Sequence, residues 1–570
     1  MSLPPGPVFL LKVSLWISTR ILLTYVSLNL LNLYPLSKTG NVLVSVVLQP
    51  VLTFVEQLWD DIKMKRDAAA RGAIIVPKVR QGSLSIAKDI LKGFKSGYMG
   101  EVFLNWEQLY GSIYSIKIFS ERRMMTSEPL HLKAILATQF NEFVKGPLLF
   151  SQWKTLLGAG VFNADGDMWK FHRNMTRPFF SKDRIRDFEI FDAHALETIS
   201  LMKGRLAAGH PVEFQDAVAR FTLDSATEFL FGKNVRSLDA GLPYPKSSGI
   251  ANPESFVNHP SNSFVTAFMK GQDLTARRTR TGTTWPLLEF WKDEVADQRA
   301  VVNEFIEPIL ADVQQREKKE DGSECFLEDL VKYTQDDQVI LDELVNILVA
   351  GRDTTASLLT FAIYVLTQRP DITQRLREEI LKHVGPSSAP SYEDIKEMKY
   401  LRAFLNETLR LYPPVPFDAR TSTAATTIPN PKAGSPPIFV PANTKVLYSV
   451  FLIHRREDLW GPDANEFDPD RFIDQRLHKY LAPNPFIFLP FNAGPRICLG
   501  QQFAYNEASF FLVRLLQNFS NFTFVDEAME EGDRPPKEWA GAKGTKGRDK
   551  VVFQSHLTMS VKGGIWVKME

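Results

Sequence analysis

The residues with the clearest chemical potential form the string Phe491-Asn492-Ala493-Gly494-Pro495-Arg496-Ile497-Cys498-Leu499-Gly500, followed by an apolar helical stretch from Gln501 to Asn518. A lone cysteine at the mouth of a helix sits where backbone N–H groups and the helix N-terminus favour its thiolate. A thiolate in that position suits a haem iron. The glycines let the backbone wrap closely around the sulfur and approach a flat macrocycle, and Arg496 could neutralise a propionate through charge-assisted hydrogen bonds. An inert buried cysteine is the ordinary alternative. It is outweighed here because each fixed position in a motif cuts chance matches about twentyfold.

A second constellation lies in the run Val339 to Gln368, apolar on nearly every side and ended by Pro370, which reads as a helix through the core of a large domain. Ala350-Gly351-Arg352-Asp353-Thr354-Thr355 interrupts it where propensity prefers Leu or Ala. Two readings stand side by side. One is a kink with hydroxyls bonded back to the preceding turn. The other is a local opening where oxygen or substrate meets a proton-donating hydroxyl and acid.

These groups need a scaffold, and the chain has material for one. Its 570 residues are 44% apolar and 11% aromatic, which excludes extended disorder and low-complexity fibres. With 67 basic and 66 acidic side chains there is no global field for a nucleic-acid partner, and none is expected. Two cysteines, Cys325 and Cys498, cannot build a disulfide scaffold, a four-cysteine zinc site or an iron–sulfur cluster. Cys325, beside the mixed-charge run Arg316 to Asp321, reads as a free surface thiol and the run as a solvated helix end. Gly158-Ala159-Gly160 is followed by Asn163 where a dinucleotide fingerprint needs glycine. Hydrolase, zinc-protease and Walker motifs are absent from the sequence.

The first sixty residues form an expected membrane anchor. Ile21 to Ser37 and Thr39 to Val55 are free of charge, and Lys12, Arg20, Lys38 and Pro50 break the apolar material. One span plus an interfacial helix therefore competes with a two-span hairpin. Pro4, Pro5 and Pro7 replace the basic start of a cleaved signal. A basic linker at 61–82, with Lys63, Lys65, Arg66, Arg71, Lys78 and Arg80, places the remainder on the cytosolic side. Beyond it, amphipathic periods in Lys182 to Leu206, Ala300 to Lys318 and Gln374 to His383 predict helices. Ile438 to Val446 and Val551 to Val567 look strand-like, and 241–263 and 526–550 read as surface insertions.

The cysteine string resembles the F-x-x-G-x-R-x-C-x-G loop of the cytochrome P450 haem-thiolate monooxygenases, and other motifs of that family follow in order. Ala350 to Thr355 is similar to its oxygen-activating A-G-x-D-T-T. Glu407-Thr408-Leu409-Arg410 matches E-x-x-R. Asp468-Pro469-Asp470-Arg471-Phe472 resembles the meander whose arginine completes an ion-pair triad, with Asp470 where Glu is common. Trp169-Lys170-Phe171-His172-Arg173 matches W-x-x-x-R.

The resemblance implies a mainly α fold with a small β lobe, the cytochrome P450 fold, over 83–570 behind the anchor. Haem b would be ligated through its iron by Cys498, with Phe491 in the same loop. Trp169, Arg173, Arg420 and Arg496 would hold propionates, and Asp353 and Thr354 would be the catalytic acid and alcohol. It further implies oxygen insertion into a lipophilic substrate at the endoplasmic reticulum membrane. Electrons would come from NADPH through NADPH-cytochrome P450 reductase, docked near Arg177, Lys182, Arg184 and Arg186. Arg71 to Arg80 and Gln501 to Ala504 are similar to fungal microsomal hydroxylases of alkanes and fatty acids, with aromatic hydrocarbons equally compatible. A haem-thiolate isomerase or dehydratase that needs no oxygen, and a non-catalytic membrane-tethered haem protein, are the alternatives. The intact Asp353-Thr354 pair speaks against the isomerase.

Overall fold

The computed structural model describes residues 3–31, 37–119, 121–180, 188–316 and 325–570. Lys182, Arg184 and Arg186 of the expected docking face, and most of the charged run after Arg316, lie outside them.

Two N-terminal helices, α1 (Pro5–Leu31) and α2 (Lys38–Ala70), are long and apolar enough to cross a membrane by length and composition. α2 continues through the first ten residues assigned to the basic linker. The two helices run antiparallel with their polar side chains facing one another. Asn41 donates to Asn29 (2.9 Å), Gln49 to Thr24 (3.2 Å), and Arg20 to Gln49 (3.2 Å) and Glu56 (2.7 Å). Such pairs satisfy groups that hydrocarbon cannot. Gly6 N–H bonds the Phe290 carbonyl at 2.9 Å, and a Cβ at Gly6 would overlap Phe290, so only glycine permits this approach.

The catalytic unit is mostly helical. The helices that position the site are α3 (Gly166–Thr176), α4 (Pro260–Thr281), α5 (Asp337–Leu348), α6 (Thr354–Leu366), α7 (Lys399–Leu411) and α8 (Gln501–Asn518). α5 and α6 form the anticipated apolar rod, joined by one π-helical turn, Val349–Asp353. α5 buries its side chains in one hydrophobic cluster and α6 in another, which explains why the rod is apolar on every side. Pro370 is the first residue of the next helix, Pro370–His383, where its missing N–H costs nothing.

The β lobe is a five-stranded sheet of β1 (Ile113–Ile118), β2 (Glu121–Thr126), β3 (Phe143–Val144), β4 (Phe417–Ser422) and β5 (Lys445–Ser449) in the order β1-β2-β5-β4-β3. Only the β2–β5 pair is parallel. Near the C-terminus β6 (Phe553–Ser555) and β7 (Met559–Val561) make a hairpin with Ser555 opposite Met559.

Two sequence expectations need correction. Cys325 is not a surface thiol: it is 2% exposed in the cluster that packs α5, and burial pushes its thiol up to about 11. The stretch 526–550 is not simply a surface insertion either. It buries Met529 and Trp539 in the main core, Trp539 packs edge-on against Tyr98, and Asp549 accepts the Tyr98 hydroxyl at 2.8 Å.

Candidate active site

The cysteine loop is shaped by positive-φ residues. Asn492 (φ 63°) and Gly494 (φ 69°) reverse the chain, and a side chain at Gly494 would strike the carbonyl of Leu136. The turn closes with Cys498 N–H on the Phe491 carbonyl (3.0 Å), and Phe491 packs on Tyr505 at the start of α8. Cys498 presents accessible surface although chain surrounds it, the combination expected of a sulfur on an interior cleft. Burial raises the thiol pKa, while the Gly500 N–H and Arg173 lower it. The backbone dipoles therefore do not prevail alone, as the sequence had suggested; coordination to iron is what deprotonates such a thiol.

The central rod also opens onto interior space. From Ile340 to Leu366 its residues are buried except Ala350, Gly351 and Thr354, which are half-exposed along one side of the π-turn. A Cβ at Gly351 would meet nothing nearer than Ala226 at 3.8 Å. Thr354 Oγ1 donates to the Ala350 carbonyl (2.5 Å), so the hydroxyl back-bonds beside the π-turn, as the first reading of this motif has it. Asp353 points to the other side, accepting from Gln272 of α4 (2.6 Å) and Arg352 (2.5 Å).

α8 links the two halves. Its Glu507 is wholly buried beside Thr355, outside ordinary hydrogen-bond geometry, and burial pushes its carboxyl up to about 8 against the opposing effect of that hydroxyl. From about 4.5, its ordinary value, to about 8 the folded chain keeps a proton that the unfolded chain has lost, so stability falls as pH rises through this window. Glu507→Gln should abolish that decline. Urea unfolding at pH 5 and pH 8 should show a relative gain at pH 8 on the order of 1–3 kcal/mol.

Around the cleft the chain gathers cations. Arg496 stacks on Trp169 of α3 (4.6 Å) and bonds Asp165 (2.7 Å) and the Ala164 carbonyl. Arg420 of β4 pairs with Asp418 (2.9 Å), which also accepts from Lys145 (3.1 Å), Tyr448 (2.9 Å) and Asn492 (3.0 Å). Arg173 is half-buried, faces Cys498 and has no hydrogen bond or ion pair among the described residues. Four cations thus meet two carboxylates, Asp165 and Asp418, leaving two positive charges. Burial and mutual repulsion bring Arg496 down to about 10 and Lys145 to about 8, the latter despite Asp418. Haem b carries two propionates, and the excess charge, unpaired Arg173 and cleft-facing sulfur fit it.

The E-x-x-R match is a buried clamp. Glu407 holds Arg410 through two bonds (2.6 and 2.8 Å), with Arg471 at 3.6 Å. Arg410 donates onward to the carbonyls of His454, Ala464 and Glu466. His454, buried and held neutral by a pKa brought down to about 3, accepts from Leu489 N–H just upstream of the cysteine loop (2.9 Å). Asp470 lies outside this clamp and pairs with Arg375.

The sequence reading missed Lys145, Asp165, Asp418 and His454. Only Asp418, two residues before Arg420, was adjacent to a recognised position. The turn Gly158 to Gly160 proves structural: N–H groups at Ala159, Val161 and Phe162 are capped by Asp342, Glu343 and Asn346 of α5.

A mainly helical unit, a small β lobe and a cysteine turn ringed by carboxylate-seeking cations fit a haem-thiolate protein. Residues 86–540 match the cytochrome P450 family model, and the chain belongs to that family. It is 38% identical over 491 residues to cytochrome P450 52A3-A of Candida maltosa, covering 84% of this chain and 87% of that protein. Cytochrome P450 52A13 of Debaryomyces hansenii is 37% identical over 80% of this chain and 83% of its own. Cytochrome P450 monooxygenase himC of Aspergillus japonicus is 38% identical, with shares of 75% and 74%.

Proposed function

We propose that this chain inserts one atom of O2 into a lipophilic substrate, an alkane, fatty acid or aromatic hydrocarbon, using electrons passed from NADPH by NADPH-cytochrome P450 reductase. The observation that carries this reading is the cleft-facing Cys498 together with the opened turn at Gly351 and Thr354. Haem, when bound, supplies an iron whose thiolate ligand favours O–O cleavage. Cys498 would hold that iron, and Phe491 would wall its sulfur from solvent. Arg173, Arg420, Arg496 and Lys145 would neutralise the two carboxylates, with Trp169 fixing the plane of Arg496. Thr354 would hold a proton at its Oγ1 on the open side of the π-turn, and Asp353 would replace that proton once it is given up. The test is Thr354→Ala: NADPH and O2 consumption should continue while product formed per NADPH drops about tenfold or more. Unchanged coupling would overturn the assignment.

The reductase would meet the sulfur side, where Arg177 is exposed and Lys396, Lys399 and Arg402 line a cavity of about 480 Å³ beside α8. The anchor is read as a two-span hairpin of α1 and α2 in the endoplasmic reticulum membrane, with the catalytic unit facing the cytosol. Its support is the polar ladder and the return of Gly6 to Phe290, next to exposed Leu287, Leu288 and Trp291. An N-glycosylation acceptor on a spacer inserted at Ser37 should be modified in microsomes, and one at the N-terminus should not. The reverse pattern would mean a single span.

A further inference from the structure

The tip of the β6–β7 hairpin, His556 to Thr558, is wedged between two helices. Arg280 at the end of α4 donates to the Ser555 carbonyl, and Ser357 of α6 donates to the Met559 carbonyl (2.6 Å). This is the seam where Gln272 of α4 meets Asp353. His556 is 9% exposed. Its Nδ1 accepts from Thr558 N–H (3.4 Å), which leaves the proton of the neutral ring on Nε2, and Nε2 has no partner. Two residues on Asp353 also carry a buried, unpartnered polar atom: Gln272 Oε1 and Arg352 Nε. Leaving such atoms unsatisfied costs about 1–3 kcal/mol each. Asp353 is held by Gln272 and Arg352 and acts electrostatically on His556, and unpaired buried polar atoms on such neighbours are what a buried water binds.

We propose that His556 is a positioning residue that acts through Asp353, feeding protons to it by a water held among His556 Nε2, Gln272 Oε1 and Arg352 Nε. The inference rests on the oxygenase reading above. Each turnover joins RH, O2, two electrons from NADPH through the reductase and two protons to give ROH and H2O. A proton leaving Asp353 toward Thr354 must be replaced from solvent. The charged groups facing His556 are Asp353, Asp273, Arg280 and Arg352, and Asp273 on α4 is half-exposed. That side chain is the solvent end of the route. Burial lowers the imidazole pKa, Arg280 and Arg352 add to this, and the two carboxylates oppose it.

The experiment compares holoenzymes carrying His556→Gln and His556→Phe with the parent. The substrate is whichever alkane, fatty acid or aromatic hydrocarbon gives the parent its largest spectral shift. Driven by reductase and NADPH, His556→Phe should lose about tenfold in product per NADPH, and its solvent deuterium isotope effect should rise about twofold or more. His556→Gln, which keeps a donor, should recover part of the coupling. Driven by hydrogen peroxide, which brings its own protons, both variants should match the parent, and their substrate affinities should not move.

Unchanged coupling and isotope effect in both variants would overturn the proposal. So would a parallel fall in substrate affinity and peroxide-driven yield, which would make His556 a wall of the substrate chamber. Should His556→Phe fail to fold, the isotope effect and coupling of His556→Gln decide alone, with no change from the parent counting against the proposal. A parent with the thiolate optical signature but no oxygen-dependent product would refute the oxygenase reading instead.

Discussion

Cys498→Ala is expected to remove the thiolate signature from the reduced carbon monoxide complex and to cut oxygenase turnover roughly a thousandfold or more, about 4 kcal/mol of barrier. The sulfur is the one ligand the cysteine turn offers, and the Phe491 carbonyl and Asn492 and Gly494 conformations exist to aim it. Serine should not rescue, since a hydroxyl neither ionises as readily nor donates electron density as a thiolate does. Cys325→Ala is the matched control. Its thiol lies in the packed cluster around α5, so the optical signature and turnover should be retained. The measurements are the carbon monoxide difference spectrum and haem-to-protein ratio of each variant.

Glu407→Gln should be almost as damaging through stability. Glu407, Arg410 and Arg471 have essentially no exposure, and the carboxylate balances charge that solvent cannot reach. Removing it strands the Arg410 guanidinium, while Arg471 keeps Asp463 (3.0 Å), a loss of about 3–5 kcal/mol for a broken buried pair. Arg410 also grips the carbonyls of His454, Ala464 and Glu466, so the damage should travel to the cysteine turn through His454 and Leu489. The expected outcome is a lowered urea midpoint together with poor haem retention. Arg410→Lys should fare little better, because one ammonium cannot replace a planar fork that serves both carboxylate oxygens and three carbonyls.

The parts of the site legible in the sequence were those whose spacing is local. The cysteine turn needs its glycines and sulfur within a few residues, and Glu407 and Arg410 meet because three residues make nearly one helical turn. The interrupted rod was legible as well, though its π-turn was not, since widening and back-bonding leave the same residue types. Lys145 escaped notice because its partner Asp418 is 273 residues away, brought near only by pairing of β3 with β4. His454 looks like any buried histidine until Leu489 is placed against it. The stretch 526–550 misled through its glycines and charges, and its burial depends on Tyr98 and Tyr412, far upstream, closing over Trp539 and Asp549. Cys325 misled through its charged neighbours, which say nothing about which way the thiol turns.

Asp418 draws donors from its near neighbour Arg420 and from three stretches farther away along the chain: Lys145, Tyr448 and Asn492. A nascent polypeptide cannot assemble that junction until nearly the whole length has emerged and the last of these stretches has docked. Cofactor capture at this junction is therefore expected late in biogenesis. Pigment intensity in a cell expressing this protein then reports completed maturation rather than synthesis, and a truncation beyond the reach of Asn492 would yield colourless material however much of it accumulated.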